Sequence, residues 1–237
     1  MEPSAVMDGL FWFVAFLFST TVHEAAHAWV ALKGGDPTAY QGGQVSLSPI
    51  PHVRREPIGM LVLPLISTFT TGWAMGWASA PYDPAWAERY PRRAAWMAAA
   101  GPAANFCLAI LSLILLRVGL AMGYFVPPQA VNFSHLVSPA AGGATDLAAF
   151  LAQGLSVLLM ENVILGTFNL VPLPPLDGSA AIGLLLPEKT ASSFRQLART
   201  PGFSMAGLLF ALLIFPRISL PLFSLVIRLV HPGVNYF

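Results

Sequence analysis

The chain has 237 residues, of which 56 % are hydrophobic and only 10 % charged, with a formal net charge of +1. That charge content is less than half of what a soluble domain carries, which excludes a water-soluble globular enzyme and places the chain among all-α polytopic membrane proteins. A net charge near zero gives no reason to expect a nucleic-acid partner, and the length leaves room for one membrane-embedded domain but no large soluble module.

The first element is an apolar run from Leu10 to Leu32, long enough to cross a bilayer, within a helix expected over about Asp8 to Leu32. Met1 to Asp8 lack the basic region of a cleavable signal, so this helix is expected to be retained. Inside it stands His23-Glu24-Ala25-Ala26-His27. Helical residues four apart lie on one face about a turn apart, so both imidazoles can reach one metal ion. Glu24 lies on the same arc, where it reaches a water at that ion without being a ligand. Two imidazoles and a carboxylate are costly at membrane depth, and the chemistry that explains them is metal-dependent hydrolysis where water is scarce.

Gly34-Gly35-Asp36-Pro37 stops this helix. In Tyr40 to Ser48, Val45 and Leu47 alternate with polar neighbours, which predicts a short membrane-associated strand. Pro57 to Ala80 is apolar but interrupted by Pro64, Gly72 and Gly76. It is long enough to span, yet its Pro and Gly residues also permit it to enter the membrane and return to the same side. Pro81 to Arg93 reads as a loop, and Ala94 to Leu120 as a helix carrying Gly101-Pro102-Ala103-Ala104-Asn105. Cys107, the only cysteine, reads as a small core residue of that helix.

A loop from Gly123 to Asp146 precedes a helix over Leu147 to Phe168. Pro172, Pro174 and Pro175 break this helix, and a short one resumes to about Leu186. Phe203 to Val230 is apolar and expected to be split by Pro216 and Pro221. The core of the single domain is thus expected over about 8–186, with a C-terminal hydrophobic segment over about 203–231.

Asp177 follows the proline break and has two readings: a cap of the resumed helix, or the third protein ligand that a catalytic zinc site wants. It is the best-placed carboxylate to complete His23 and His27, since Asp146 lies in a far loop and Glu161 precedes the break by about three turns. Asp177 and the histidines meet at one depth only if the two helices run in the same direction, which requires an odd number of crossings. The basic residues agree. Lys33, Arg54, Arg55, Arg89, Arg92 and Arg93, then Lys189, Arg195 and Arg199, fall in two loops that the positive-inside rule puts in the cytoplasm. Both constraints favour a re-entrant Pro57–Ala80 segment.

Taken together, the His23–His27 pentapeptide with the following Leu-Lys-Gly-Gly-Asp-Pro-Thr, the Gly101–Asn105 stretch, and Asn169 through Gly178 resemble the three signatures of site-2 proteases. These are intramembrane zinc metalloproteases of the M50 peptidase group. The order and spacing are similar to the compact prokaryotic subgroup without PDZ or CBS domains. The resemblance covers roughly Phe11 to Leu186. It implies metal ligation by His23, His27 and Asp177, Glu24 as catalytic acid/base, and Zn²⁺ as cofactor. Asn169 and Asn105 match polar family positions near the active site and substrate path. Many relatives carry Asn-Pro where this chain has Ser48-Pro49, and the stretch around His52 also departs from the pattern.

The activity implied is hydrolysis of peptide bonds within or near transmembrane segments of other membrane proteins, as in regulated intramembrane proteolysis. The partners implied are a transmembrane substrate and the bilayer of a prokaryotic cell membrane, with the active site towards the cytoplasm. Tyr40–Ser48 and Asn169–Pro175 are candidates to pair with an unwound substrate. His52 is a further site candidate near the entrance. Two rivals differ in class: a metal transporter, against which the chain shows no internal repeat, and an inactive relative, against which all four chemical positions are intact.

Overall fold

The computed structural model describes residues 3–140, 146–187, 190, 191, 193, 194, 198, 200–234 and 236. Lys189, Arg195 and Arg199 of the second basic loop lie outside the described residues.

Among the described residues, four helices are long and apolar enough to cross a membrane: Val6–Lys33, Pro91–Ala121, Asp146–Asn169 and Gly202–Val230. They belong to α1 (Pro3–Lys33), α6 (Pro91–Ala121), α7 (Asp146–Asn169) and α9 (Pro201–Val230). Side-chain contacts fix their directions. Phe11 meets Phe150 at 5.1 Å between ring centroids, and Ser19 accepts from Asn162 at 2.8 Å, so α1 and α7 run parallel. His27 meets the Met97 carbonyl and His23 meets Asn105, so α6 runs against α1. Gly207 of α9 lies against the Pro174 carbonyl, while Arg117 reaches Val230 O at 3.2 Å, so α9 returns beside α6.

Apolar burial gives little drive between helices in lipid, so close contact needs small side chains. Ala28, Ala31, Ala109, Ala152 and Ala211 fill the interfaces accordingly. The largest buried cluster, with Trp12, Phe16, Leu116, Leu136, Met160 and Ile227, packs the half of the bundle opposite the histidines.

The chain between α1 and α6 begins and ends at the Lys33 end. After α2 (Thr38–Gln41) and α3 (Pro49–Arg55), a π turn over Ile58–Val62 leads into α4 (Leu63–Thr71). This helix descends along α1 until Thr68 touches Gly9. Gly72, at φ 84°, closes it in the left-handed region that a side chain would strain. The chain then climbs back: Trp73 lies edge-on to Trp12, and Trp77 N donates to Gly59 O at 3.1 Å. A Cβ on Gly76 would stand 2.1 Å from the Gly59 carbonyl, so only glycine permits this closure. Pro57–Ala80 therefore enters and returns, which leaves α1, α6 and α7 as the three crossings up to Asp177.

The remaining connections differ from expectation in three places. Tyr40–Ser48 is no strand: Tyr40 and Gln41 end α2, and residues 42–48 form turns and bends. Among the described residues no strand pairs with it, and local hydroxyls serve its backbone instead, as where Ser46 accepts from Ser48 N and Ser48 caps α3. The only β pairing among the described residues is β1 (Phe125–Val126) with β2 (Ser138–Pro139), at the opposite end. The Pro81–Arg93 loop contains α5 (Pro84–Arg89), capped by Asp83. Finally, α9 is continuous through Pro216 and Pro221, and Ser219 donates to the Pro216 carbonyl. A helical proline leaves the carbonyl four residues before it without a donor, here those of Leu212 and Arg217, and transmembrane helices tolerate this where neighbouring groups or local adjustments serve it.

Candidate active site

The site lies on the second half of α1, six to ten residues before Lys33, or about 9–15 Å along the helix from its end. His23, Glu24 and His27 are all buried. Asp177 arrives from the other direction. The three prolines turn the chain tightly after α7, with Leu173 N donating to Val171 O and Leu176 N to Leu173 O. Asp177 then precedes α8 (Gly178–Ala181), and its side chain makes no capping bond there. It faces the imidazoles.

Asp177 Oδ2 lies 3.0 Å from His23 Nε2 and 3.3 Å from His27 Nε2, and the two Nε2 atoms are 2.9 Å apart. Among the described residues these are the only three side chains whose ligand-type atoms gather in this way. Their protonation is set from behind. The Met97 carbonyl can only accept, so His27 Nδ1 donates to it at 2.7 Å. Asn105 turns its carbonyl oxygen to His23 Nδ1 at 2.5 Å, its amide nitrogen being given to Asn162. In the neutral rings both Nε2 atoms then present lone pairs to each other and to a carboxylate. Three acceptors with no proton between them repel, and a cation relieves this.

The spacing fits zinc. Tetrahedral bonds of 2.0–2.1 Å put neighbouring ligand atoms roughly 3.3 Å apart. The space is also kept open: a Cβ on Gly101 of α6 would stand 2.3 Å from His27 Nε2 and 2.5 Å from His23 Nε2.

A cavity of about 380 Å³ opens beside the trio, lined by Glu24, His27 and Asp177 on one side and by Ser79, Tyr82 and Pro175 among others. The non-helical return of the re-entrant segment thus forms part of its wall. Asp36 anchors that return: its buried carboxylate accepts from Thr38 N, Thr38 Oγ1 and, across 47 positions of sequence, Asp83 N. Trp86 and Arg93 both donate to the Gly34 carbonyl and hold the α5–α6 corner against the same turn.

A family model for peptidase family M50 matches residues 11–214. The chain belongs to peptidase family M50. Of its relatives, YwhC of Bacillus subtilis (strain 168), named as a zinc metalloprotease, is 34 % identical over 200 residues, covering 83 % of this chain and 78 % of its own. Rip2 of Mycolicibacterium smegmatis, named likewise, is 28 % identical over 89 % of this chain and 69 % of its own. Rip2 of Mycobacterium tuberculosis (strain H37Rv) is 31 % identical over 82 % and 63 %. No solved structure gave a significant match. This M50 peptidase is therefore a multi-pass membrane zinc metalloprotease.

The other sequence candidates fall elsewhere. Asn105 is fully buried behind His23 and faces that ring, not the cavity. Asn169 donates to the Leu165 carbonyl one turn back on its own helix and does not line the cavity. His52 is buried against Ser46 O at 3.0 Å, outside the cavity lining. Gly101, the Met97 carbonyl and Asn162 were missed. Gly101 alone left a signal, as a glycine inside an apolar helix.

Proposed function

We propose that this M50 peptidase hydrolyses peptide bonds within or beside transmembrane segments of other membrane proteins, with His23, His27 and Asp177 holding zinc and Glu24 moving the proton. The observation that carries the reading is the convergence of two imidazole Nε2 atoms and one carboxylate oxygen within 3.3 Å of one another, with Glu24 on the same cavity wall.

Zinc supplies a Lewis acid that polarises a carbonyl and brings the pKa of water towards about 7. Glu24 then accepts the proton of the attacking water and delivers it to the leaving nitrogen. Met97 and Asn105 hold the two rings so that only Nε2 faces inward. The apolar surroundings exclude bulk water and strengthen these electrostatic contacts.

A helical substrate shields its amides and must enter extended. The wall formed by Ala78–Ala80 supports this, because the backbone there belongs to no helix or strand and lines the cavity together with Glu24. It takes the place expected of Tyr40–Ser48. The whole chain acts as one peptidase domain, with its Lys33 end in the cytoplasm of a prokaryotic cell. In support, Lys33, Arg54, Arg55, Arg89, Arg92 and Arg93 gather at the end of the bundle nearer the site, whereas Arg117 and Arg228 lie towards the other.

The test compares membrane proteomes of cells expressing the wild type or Glu24→Gln. New termini inside transmembrane segments, present only with the wild type, support the reading. Identical membrane proteomes contradict it.

A further inference from the structure

We propose that Asn162 of α7 is a positioning residue for the metal centre: acting through Asn105, it holds His23 in the tautomer that leaves Nε2 free for zinc. The inference rests on the ligand assignment above.

The relay begins at a main-chain oxygen. One amide atom of Asn162 lies 2.8 Å from the Leu158 carbonyl, four residues back on the same helix, and 2.8 Å from Ser19 Oγ. A carbonyl oxygen can only accept, so that atom is Nδ2. The other, Oδ1, therefore faces Asn105, and at 2.9 Å it accepts from Asn105 Nδ2. Asn105 is then left with Oδ1 towards His23 Nδ1, at 2.5 Å, and that ring nitrogen must carry the proton.

Each step allows one orientation because the step before it has a single chemistry. Flipping either amide would set two acceptors against each other, or two donors, at buried positions. Ser19, Asn105 and Asn162 are all fully buried, so no bulk water corrects a mismatch. His23 thus has its proton placed by a carbonyl on α7 through two intervening side chains. His27 needs no such relay, because Met97 O faces its Nδ1 directly. That difference supplies an internal control.

The experiment uses the full chain, purified in detergent and ¹⁵N-labelled at histidine. It compares Asn162→Thr with Asn162→Val, which share one shape. Threonine keeps a donor for Leu158 O and an acceptor for Asn105, whereas valine keeps neither. Two quantities are read: the zinc dissociation constant by chelator competition, and the His23 tautomer by ¹⁵N spectra of metal-free protein, assigned with His23→Gln. The expected result is a zinc affinity reduced about 10- to 100-fold by valine, as for lost partners of metal ligands, and substantially recovered by threonine. His23 should populate the Nε2–H form in Asn162→Val while His27 stays unchanged. Equal behaviour of the two variants, or a His23 that keeps Nδ1–H in Asn162→Val, overturns the proposal. Should valine prevent folding, Asn162→Ser against Asn162→Ala repeats the comparison with less bulk. A wild type that binds no zinc would sink the ligand assignment instead, and the tautomer measurement would still decide the relay.

Discussion

Gly101 and His27 approach so closely that a methyl group on the glycine would stand 2.3 Å from the imidazole Nε2. Helix α6 thereby forms the floor beneath the metal position, and the space above it exists because that side chain is missing. Gly101→Ala should displace both rings, abolish zinc retention and lower cleavage by at least about 100-fold, an effect on the scale of lost ligand support. Gly202→Ala, which meets nothing within 4 Å, should leave both unchanged. Metal analysis of the two purified variants checks this.

Glu24→Gln separates chemistry from binding. The carboxylate lines the cavity but is absent from the ligand trio, so the variant should keep zinc within a few-fold of wild type. Cleavage should fall about 10²- to 10⁴-fold, the range for a lost general base. Loss of zinc together with activity would show Glu24 to be a ligand.

Asp36→Ala tests the anchor of the cavity wall. It leaves Thr38 N, Thr38 Oγ1 and Asp83 N without their shared acceptor, which should cost about 2–4 kcal/mol of stability. Thermal unfolding measures the loss. At temperatures where the variant is folded, zinc content should stay near wild type while KM for a membrane substrate rises, because the wall is displaced and the ligands are not.

Three of the four long helices and the meeting of Asp177 with the histidines were legible in the sequence, and charge and parity favoured the re-entrant course of Pro57–Ala80 over a span. Each follows from a constraint that lipid makes severe: helix length, charge placement, and the cost of a buried polar group. What escaped was pairwise. Nothing in Val45 and Leu47 says that the segment lacks a neighbouring strand, because alternation describes a half-buried chain whether or not a partner exists. Met97 acts through its carbonyl, which every residue has. Pro216 and Pro221 looked like breaks because soluble helices rarely recover the freed carbonyls, whereas α9 runs on through both.

Topology follows from the hairpin at Gly72. In a Cys107→Ala background, Arg89→Cys should label only from the cytoplasmic face, and Gln129→Cys, exposed near β1, only from the outer face. Labelling of Arg89→Cys from outside would mean that Pro57–Ala80 crosses.

Removal of metal gives a reversible test. Protons and zinc compete for both imidazoles, so acidification should weaken zinc binding, and chelation at neutral pH should abolish cleavage until zinc is restored. Cleavage that persists in chelator, in protein shown to be metal-free, would exclude the metal from the reaction.

X-ray absorption at the zinc edge of the purified protein tests the centre most directly. Two imidazole nitrogens and oxygen scatterers at 2.0–2.1 Å, with one imidazole lost in His23→Ala, are the predicted result. A sulfur ligand, an all-oxygen shell, or a spectrum unchanged in His23→Ala would contradict it.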